Sequence, residues 1–150
     1  MDLILWRHAD AAEGEPDHAR RITPKGAKQA ARVAEWLLRR LPSKFTVIAS
    51  PARRAQETAA ALGARITTSA RLAPGASAAD ILEVAGWPDG KKIVIIVGHQ
   101  PDLGRAAARL VAGAGGAWSV KKGGLWWLTN RVRGDEAQVV VRAVVSPDLL

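Results

Sequence analysis

The stretch that most constrains the fold is an apolar run near the middle of the chain. Residues 93–97 are Ile-Val-Ile-Ile-Val, without a polar interruption. A strand with one face in water alternates apolar and polar residues, whereas a continuous β-branched run is typical of a central parallel strand covered on both faces. The run therefore predicts a sheet that carries helices on both sides.

Strand and helix signals alternate on either side of this run. Strands are predicted at residues 3–6, 45–49, 65–68, 92–97, 123–129 and 138–145. Helices are predicted at residues 24–41, 51–62, 78–85 and 102–112. Turns are predicted at residues 111–116, which are rich in glycine, and at residues 130–136. This order predicts an α/β fold, a three-layer αβα sandwich around a mostly parallel central sheet.

Two dipeptides predict where the first two helices begin. Thr23 followed by Pro24 combines a favoured N-cap residue with a residue suited to the first helical position. Ser50 followed by Pro51 repeats this signal. We therefore expect the second helix to begin at Ser50-Pro51, directly after the second strand.

Residues that can carry chemistry follow three of the predicted strands. The first strand leads into Arg7 and His8, and the central run ends just before His99. Ligands bind beyond the carboxyl ends of strands in open α/β sheets, so parallel neighbours would bring these side chains to one edge. Arg54, one turn into the second helix, leans back toward the same edge. Arg20, in the loop before the first helix, is a further cation within reach.

Such a set of side chains suits phosphoryl transfer. Arginine forks bind the phosphoryl oxygens and keep their charge. A neutral imidazole can attack phosphorus and form a covalent phosphohistidine, while a second imidazole donates a hydrogen bond to the phosphoryl group. The three histidines lack the carboxylate or cysteine partners that a zinc site needs, so neither a metal nor a cofactor is expected.

Each of these residues also has an ordinary interpretation. Arg53 and Glu57 are spaced as a solvated ion pair on a helix face, and Arg54 could belong to that face. His99 could be a turn residue, and His18 is expected to be a solvated loop residue. The phosphoryl site therefore depends on several features meeting at one edge, and no single one of them is specific.

Four segments, taken in chain order, resemble one known family. They are Arg7-His8-Ala9-Asp10-Ala11, Arg20-Arg21-Ile22-Thr23-Pro24-Lys25-Gly26, Ser50-Pro51-Ala52-Arg53-Arg54-Ala55-Gln56-Glu57-Thr58 and Val97-Gly98-His99-Gln100-Pro101-Asp102-Leu103. In this order and spacing they resemble the histidine phosphatase superfamily, of phosphoglycerate-mutase-like fold. The similarity is closest to its small SixA-type phosphohistidine phosphatases and covers nearly the whole chain.

The resemblance implies a role for each matching residue. His8 falls on the nucleophile that becomes phosphorylated, and Arg54 rather than Arg53 falls on the pocket arginine. The implied phosphate-binding set is Arg7, Arg20, Arg54 and His99. Ala9 stands where the family signature has glycine, which would be costly if the backbone there required a positive φ.

The implied substrate follows from a group that the chain lacks. Family members that act on esters carry a carboxylic acid, often in an inserted segment, that protonates the leaving alkoxide. This chain has no such insertion and no carboxylate in residues 72–79, and Asp10, Asp80 and Glu83 are unranked candidates for any proton donor. The imidazole that leaves from phosphohistidine is far less basic. The resemblance therefore implies a phosphohistidine phosphatase acting on a protein partner, such as a phosphotransfer domain, through phospho-His8.

The sequence is also compatible with two other functions. Within the same fold the chain could be a phosphatase of small esters or anhydrides; a mutase is disfavoured because no segment resembles a lid. A rival of another class is a non-catalytic phosphate or nucleic-acid binding protein that uses the net charge of +8. In that case Trp126 and Trp127 would be a stacking surface, although strand tryptophans are more often core.

The amino-acid composition excludes several classes of protein and disfavours others. The 22 basic residues exceed the 14 acidic ones, which favours anionic partners, but they form no basic tail that would indicate a nucleic-acid arm. The absence of cysteine excludes disulfides and a thiol nucleophile. The longest apolar run is too short to span a bilayer, and the chain enters a strand without a signal peptide. We expect a single cytoplasmic domain over residues 1–150, with no membrane partner.

Overall fold

The computed structural model describes residues 1–113 and 115–150 and contains one six-stranded sheet. Its strands are β1 Asp2–Arg7, β2 Thr46–Ala49, β3 Ile66–Thr68, β4 Ile93–Gly98, β5 Leu125–Arg133 and β6 Glu136–Val145. Its α-helices are α1 Pro24–Leu38, α2 Arg53–Ala60, α3 Ala78–Ala85 and α4 Asp102–Ala112. Single 3₁₀ turns lie at Asp17–Ala19, Ala70–Leu72 and Pro147–Leu149.

The strands lie in the order β3-β2-β4-β1-β5-β6. The first four are parallel to one another, β5 is antiparallel to β1, and β6 is antiparallel to β5. The mostly parallel sheet predicted from the sequence is confirmed. In the register, Arg7 pairs with Gly98 and Ala49 pairs with Val97, so β1, β4 and β2 end side by side.

The central strands are covered on both faces, as the continuous apolar run predicts. In β4, Ile95 and Val97 pack with α1 and α2, whereas Val94 and Ile96 pack with α3 and α4. Because successive side chains of a strand point to opposite faces, one run supplies both cores. The three-layer αβα architecture is therefore confirmed.

The first helix begins where the sequence predicts, but the second does not. The Thr23 hydroxyl accepts a hydrogen bond from the N–H of Gly26 and caps α1. The predicted start of α2 at Ser50-Pro51 is wrong, because the helix begins at Arg53 and the extended Ala52 is its N-cap residue. The buried Ser50 hydroxyl accepts a hydrogen bond from the N–H of Ala52, the N-cap residue itself, at 3.2 Å and has a second partner, described below, so it does not cap the helix.

The turn predicted at residues 130–136 is also wrong. β5 continues to Arg133, β6 starts at Glu136, and only Gly134 and Asp135 connect them. Gly134 has a φ of 60°, which suits a two-residue hairpin turn. The strand ends are solvent-exposed and polar there, which made them resemble a loop in the sequence. Of the predicted glycine-rich turn at 111–116, residue 114 lies outside the described residues.

The structure also bears on the tryptophans, on the ion pair of α2 and on membrane spans. Trp127 is 4% exposed and packs edge-on against Trp36, with ring centroids 6.2 Å apart, so it is not available as a nucleic-acid stacking surface. Arg53 and Glu57 form the predicted ion pair, with 2.8 Å between Nε and Oε1. Among the helices of residues 1–113 and 115–150, none is both long and apolar enough to traverse a bilayer.

Candidate active site

A pocket of about 300 Å³ lies at the edge where β1, β2 and β4 end. His8, Ser50 and His99 each directly follow the last residue of one of these strands. The described residues that line the pocket are Arg7, His8, Ala11, Glu13, Arg20, Arg54, Pro74, His99, Gln100 and Lys122. All five residues predicted for the site therefore lie in its wall.

The first imidazole is held with one nitrogen turned away from solvent. Nδ1 of His8 lies 2.8 Å from the carbonyl oxygen of Ala9. A carbonyl oxygen only accepts, so Nδ1 carries the proton and the lone pair is on Nε2. Burial, together with the charges of Arg54 and Arg7, lowers the pKa of His8 to about 4. The ring is therefore neutral near pH 7, as a nucleophile must be.

The second imidazole faces the first. The ring centroids of His8 and His99 are 5.3 Å apart, and the planes are tilted by 55°. Nε2 of His99 lies 2.7 Å from the Ser50 hydroxyl, and Nδ1 lies 3.5 Å from Nη2 of Arg54. Burial, followed by the charges of His8 and Arg54, lowers the pKa of His99 to about 3. Ser50 and Arg54 thus fix the orientation of a neutral ring.

The guanidinium groups of two arginines are held in the pocket wall by hydrogen bonds to the backbone. Arg54 is 4% exposed and donates to both the backbone carbonyl and the carboxylate of Asp17, at 2.9 and 3.1 Å. Arg7 donates to the carbonyl of Val120 at 2.7 Å. Within the described part of the chain, the buried Nε atoms of Arg7 and Arg54 have no hydrogen-bond acceptor. Unpartnered buried donors are costly, and an anion in the pocket would offset this concentration of positive charge.

The third predicted arginine lies nearer the mouth. Arg20 donates to the Ala12 carbonyl at 2.7 Å and to the Asp17 carboxylate at 3.0 Å. Asp17 therefore bridges Arg20 and Arg54, whose hydrogen bonds lower the pKa of its carboxyl. The sequence analysis missed Asp17, because an acidic residue in a polar loop carries no signal of its eventual partners.

Thr58 connects the second helix to the end of β1. Its hydroxyl accepts a hydrogen bond from the N–H of Ala9 at 2.9 Å and donates to the carbonyl of Arg54 at 2.7 Å. One side chain thus ties the segment after His8 to the turn that carries Arg54. Among the described residues only glycines have a positive φ, so the backbone cost expected at Ala9 does not arise.

The loop that carries Pro74 is attached to α4 by a buried carboxylate. Asp102 is 3% exposed and accepts a hydrogen bond from the N–H of Gly75 at 2.9 Å. Burial raises the pKa of Asp102, while backbone hydrogen bonds from Gly75 and Ala76 oppose that rise. This contact holds the loop that contributes Pro74 to the pocket wall.

None of the three acids left open by the sequence lines the described pocket wall. Asp80 and Glu83 pair with Arg71 at 2.7 and 2.6 Å. Asp10 pairs with Lys122 at 2.9 Å, and hydrogen bonds from Lys122 and Thr23 hold the pKa of Asp10 below its usual value.

Two charged residues at the mouth were missed by the sequence analysis. Glu13, whose side chain is 99% exposed, is the single carboxylate among the described lining residues. Lys122 lies in a loop more than a hundred residues from His8 along the chain, so no local pattern places it in the site. Among residues 1–113 and 115–150, no group of three His, Cys, Asp or Glu side chains could hold a metal ion.

Comparison with known proteins matches the part of the chain that carries His8, Arg54 and His99. The family model for the histidine phosphatase superfamily (branch 1) matches residues 3–100. An uncharacterised protein of Picosynechococcus is 35% identical over 139 residues, which cover 83% of this chain and 82% of that protein.

Two solved structures illustrate the similarity of fold. The putative phosphohistidine phosphatase SixA from Nakamurella multipartitia is 28% identical, with coverage of 97% of this chain and 95% of that one and a TM-score of 0.79. The protein histidine phosphatase SixA complexed with tungstate is 21% identical and covers 99% of both chains with a TM-score of 0.81, which shows a shared fold.

Proposed function

Because this chain belongs to the histidine phosphatase superfamily, we propose that it hydrolyses phosphohistidine on a protein partner through a covalent intermediate on His8. Membership confirms the resemblance carried by the four segments, and with it a hydrolase of the histidine phosphatase type. Metal independence is consistent with this family. Residues 1–150 act as a single catalytic domain in this mechanism.

The observation that carries the proposal is the hydrogen bond between His8 Nδ1 and the Ala9 carbonyl. It leaves the Nε2 lone pair for phosphorus. When Nε2 attacks, a bond from His8 to phosphorus forms and the phosphorus–nitrogen bond of the substrate breaks. The substrate ring, protonated on its other nitrogen, takes the electron pair of that bond and departs as neutral imidazole. The phosphorylated ring becomes cationic, and the Ala9 carbonyl stabilises its Nδ1–H.

The surrounding cations stabilise the transferred group. Its negative charge spreads over three equatorial oxygens, and Arg7, Arg20 and Arg54 supply fixed positive charges around them. In the tautomer in which the Ser50 hydroxyl donates its proton to Nε2 of His99, Nδ1 carries the other proton, gives up its long 3.5 Å contact with Arg54 and donates to a phosphoryl oxygen. Water then attacks phosphorus, the bond to His8 breaks, and inorganic phosphate leaves.

One observation favours a second candidate. Glu13 lines the mouth and is a carboxylate that could protonate an alkoxide, which a phosphatase of small esters requires. Its side chain is almost fully exposed, so this acid is not held in place in the way that the imidazoles are.

A substrate panel separates the two candidates. We expect a phosphohistidine-bearing protein to be turned over at least about tenfold more efficiently, in kcat/KM, than sugar phosphates or nucleotides, because imidazole leaves without an acid. Glu13→Gln removes the acid and is expected to leave phosphohistidine hydrolysis within about twofold of the wild type. Faster turnover of esters, lost in Glu13→Gln, would instead assign the enzyme to small esters.

The lowered pKa of His8 determines how activity should depend on pH. The nucleophile must be neutral, so activity is lost as pH falls through its pKa of about 4, rather than near the ordinary value of 6.5. We expect the acid limb of kcat/KM near that lower value. Titration of the His8 imidazole by NMR measures the same pKa without interference from substrate ionisation. A His8 that titrates near 6.5 in the folded protein would contradict this account.

A further inference from the structure

We propose that the exposed face of α1 beside the pocket is a docking surface for an acidic stretch of the phosphohistidine-bearing protein. This inference rests on the proposed function. The surface consists of Lys25, Lys28 and Arg32, and we call it the α1 basic stripe.

The α1 basic stripe lies on one side of the helix. Its residues are spaced by three and four positions, so their side chains are neighbours on one face, and a rise of 1.5 Å per residue makes the stripe about 10 Å long. All three residues are exposed. In the described part of the chain, none of them has a carboxylate within ion-pair distance.

The stripe lines a groove of about 330 Å³, with Gln29 and Pro147 among the other residues in its wall. The carboxylate in that wall, Asp148, lies 3.6 Å from the Lys121 ammonium, which balances its charge. The groove therefore presents cations that have no internal partner, next to a concave surface large enough to receive a short peptide segment.

The groove is joined to the active-site pocket by direct contacts. The Gln29 side-chain oxygen accepts a hydrogen bond from the N–H of Asp10 at 2.9 Å. Asp10 pairs with Lys122, which lines the pocket. Gly123, the next residue, has a φ of 71° and so little room that a Cβ there would lie 3.1 Å from Gln29. The groove and the pocket are thus neighbours, joined through Gln29, Asp10 and Lys122.

The size of the pocket leaves most of a protein substrate outside it. About 300 Å³ accommodates a phosphoryl group and an imidazole, so the remainder of a protein substrate lies outside the pocket. Residues next to the phosphohistidine then lie outside the mouth, where the groove adjoins the pocket through Gln29 and Asp10. Carboxylates at these positions would pair with the unpartnered cations and increase the rate of association.

The test uses two synthetic phosphohistidine peptides that differ in one feature. In one, glutamates flank the phosphohistidine, and in the other, glutamines replace them. We expect the wild type to prefer the glutamate peptide by about 10-fold or more in kcat/KM at low salt, with the preference shrinking as salt rises. The combined change Lys25→Glu, Lys28→Glu and Arg32→Glu is expected to abolish or invert this preference while leaving the glutamine peptide within about twofold.

A matched control carries the same change of net charge elsewhere. Lys44, Lys91 and Lys92 are exposed residues just before β2 and β4, at the opposite edge of the sheet. Their combined replacement by glutamate is expected to keep most of the preference. Far-ultraviolet circular dichroism checks that both variants are folded.

The outcomes separate the two proposals. Equal turnover of both peptides by the wild type, or equal loss of preference in the two triple variants, overturns the docking surface and leaves the proposed function standing. Failure of the wild type to hydrolyse either peptide overturns the proposed function and the docking surface with it. Tight binding of duplex DNA at physiological salt, lost only in the α1 variant, would assign the stripe to nucleic acid and also overturn the proposal.

Discussion

Replacement of His8 by alanine is expected to lower kcat for phosphohistidine hydrolysis by about 10⁴-fold or more, because it removes the atom that bonds to phosphorus. The Nε2 lone pair, freed by the Nδ1 hydrogen bond to Ala9, has no substitute at the same place. His99 does not replace His8 as the nucleophile, because Ser50 and Arg54 contact its two ring nitrogens.

The same variant tests where the phosphoryl group is carried. After incubation with a labelled phosphodonor and a basic quench, we expect wild-type protein to carry acid-labile label on the peptide that contains His8. His8→Ala should carry none. His18→Ala is the matched control, because His18 is exposed and lies outside the described pocket wall. Label on His99, or undiminished turnover without His8, would refute the assignment of the nucleophile.

The main features of the fold could be predicted because their signals are local. The run at residues 93–97 becomes the doubly covered β4, and Thr23 with Pro24 begins α1. Arg7, His8 and His99 follow strand ends, and parallel strands align those ends in one row. The assumption that these strands are parallel neighbours was enough to expect the pocket. The resemblance of the four segments to one family is confirmed.

What the sequence could not predict depends on contacts between distant segments. Ser50 resembles a helix cap, yet His99, nearly fifty residues away, lies 2.7 Å from its hydroxyl. Asp17 and Lys122 have ordinary surroundings in the sequence and reach the site only through the folding of loops. The hairpin of β5 and β6 did have a local signal, Gly134-Asp135, but the exposed residues beside it lack the apolar alternation that would extend both strands to the turn.

Replacement of Arg54 by lysine is expected to reduce kcat/KM by about 100-fold or more, although the charge is retained. Arg54 is buried, and its two terminal nitrogens are committed to Asp17 and His99, while the buried Nε has no partner in the described chain. A lysine ammonium is a single point and cannot make this set of contacts. We also expect weaker inhibition by inorganic phosphate, measured as a higher inhibition constant.

The neighbouring residue provides the control for Arg54. Arg53 is exposed and pairs with Glu57 on the surface of α2, so Arg53→Lys should stay within about twofold of the wild type. The two variants make the same chemical change one position apart, and they differ only in whether the guanidinium faces the pocket. A large effect at Arg53 and a small one at Arg54 would mean that the oxyanion binds elsewhere, and the cationic pocket would lose its role. Thermal unfolding of both variants separates a loss of binding from a loss of stability. Loss of the partly buried contact between Arg54 and Asp17 alone would lower Tm without changing phosphate inhibition of the protein that remains folded.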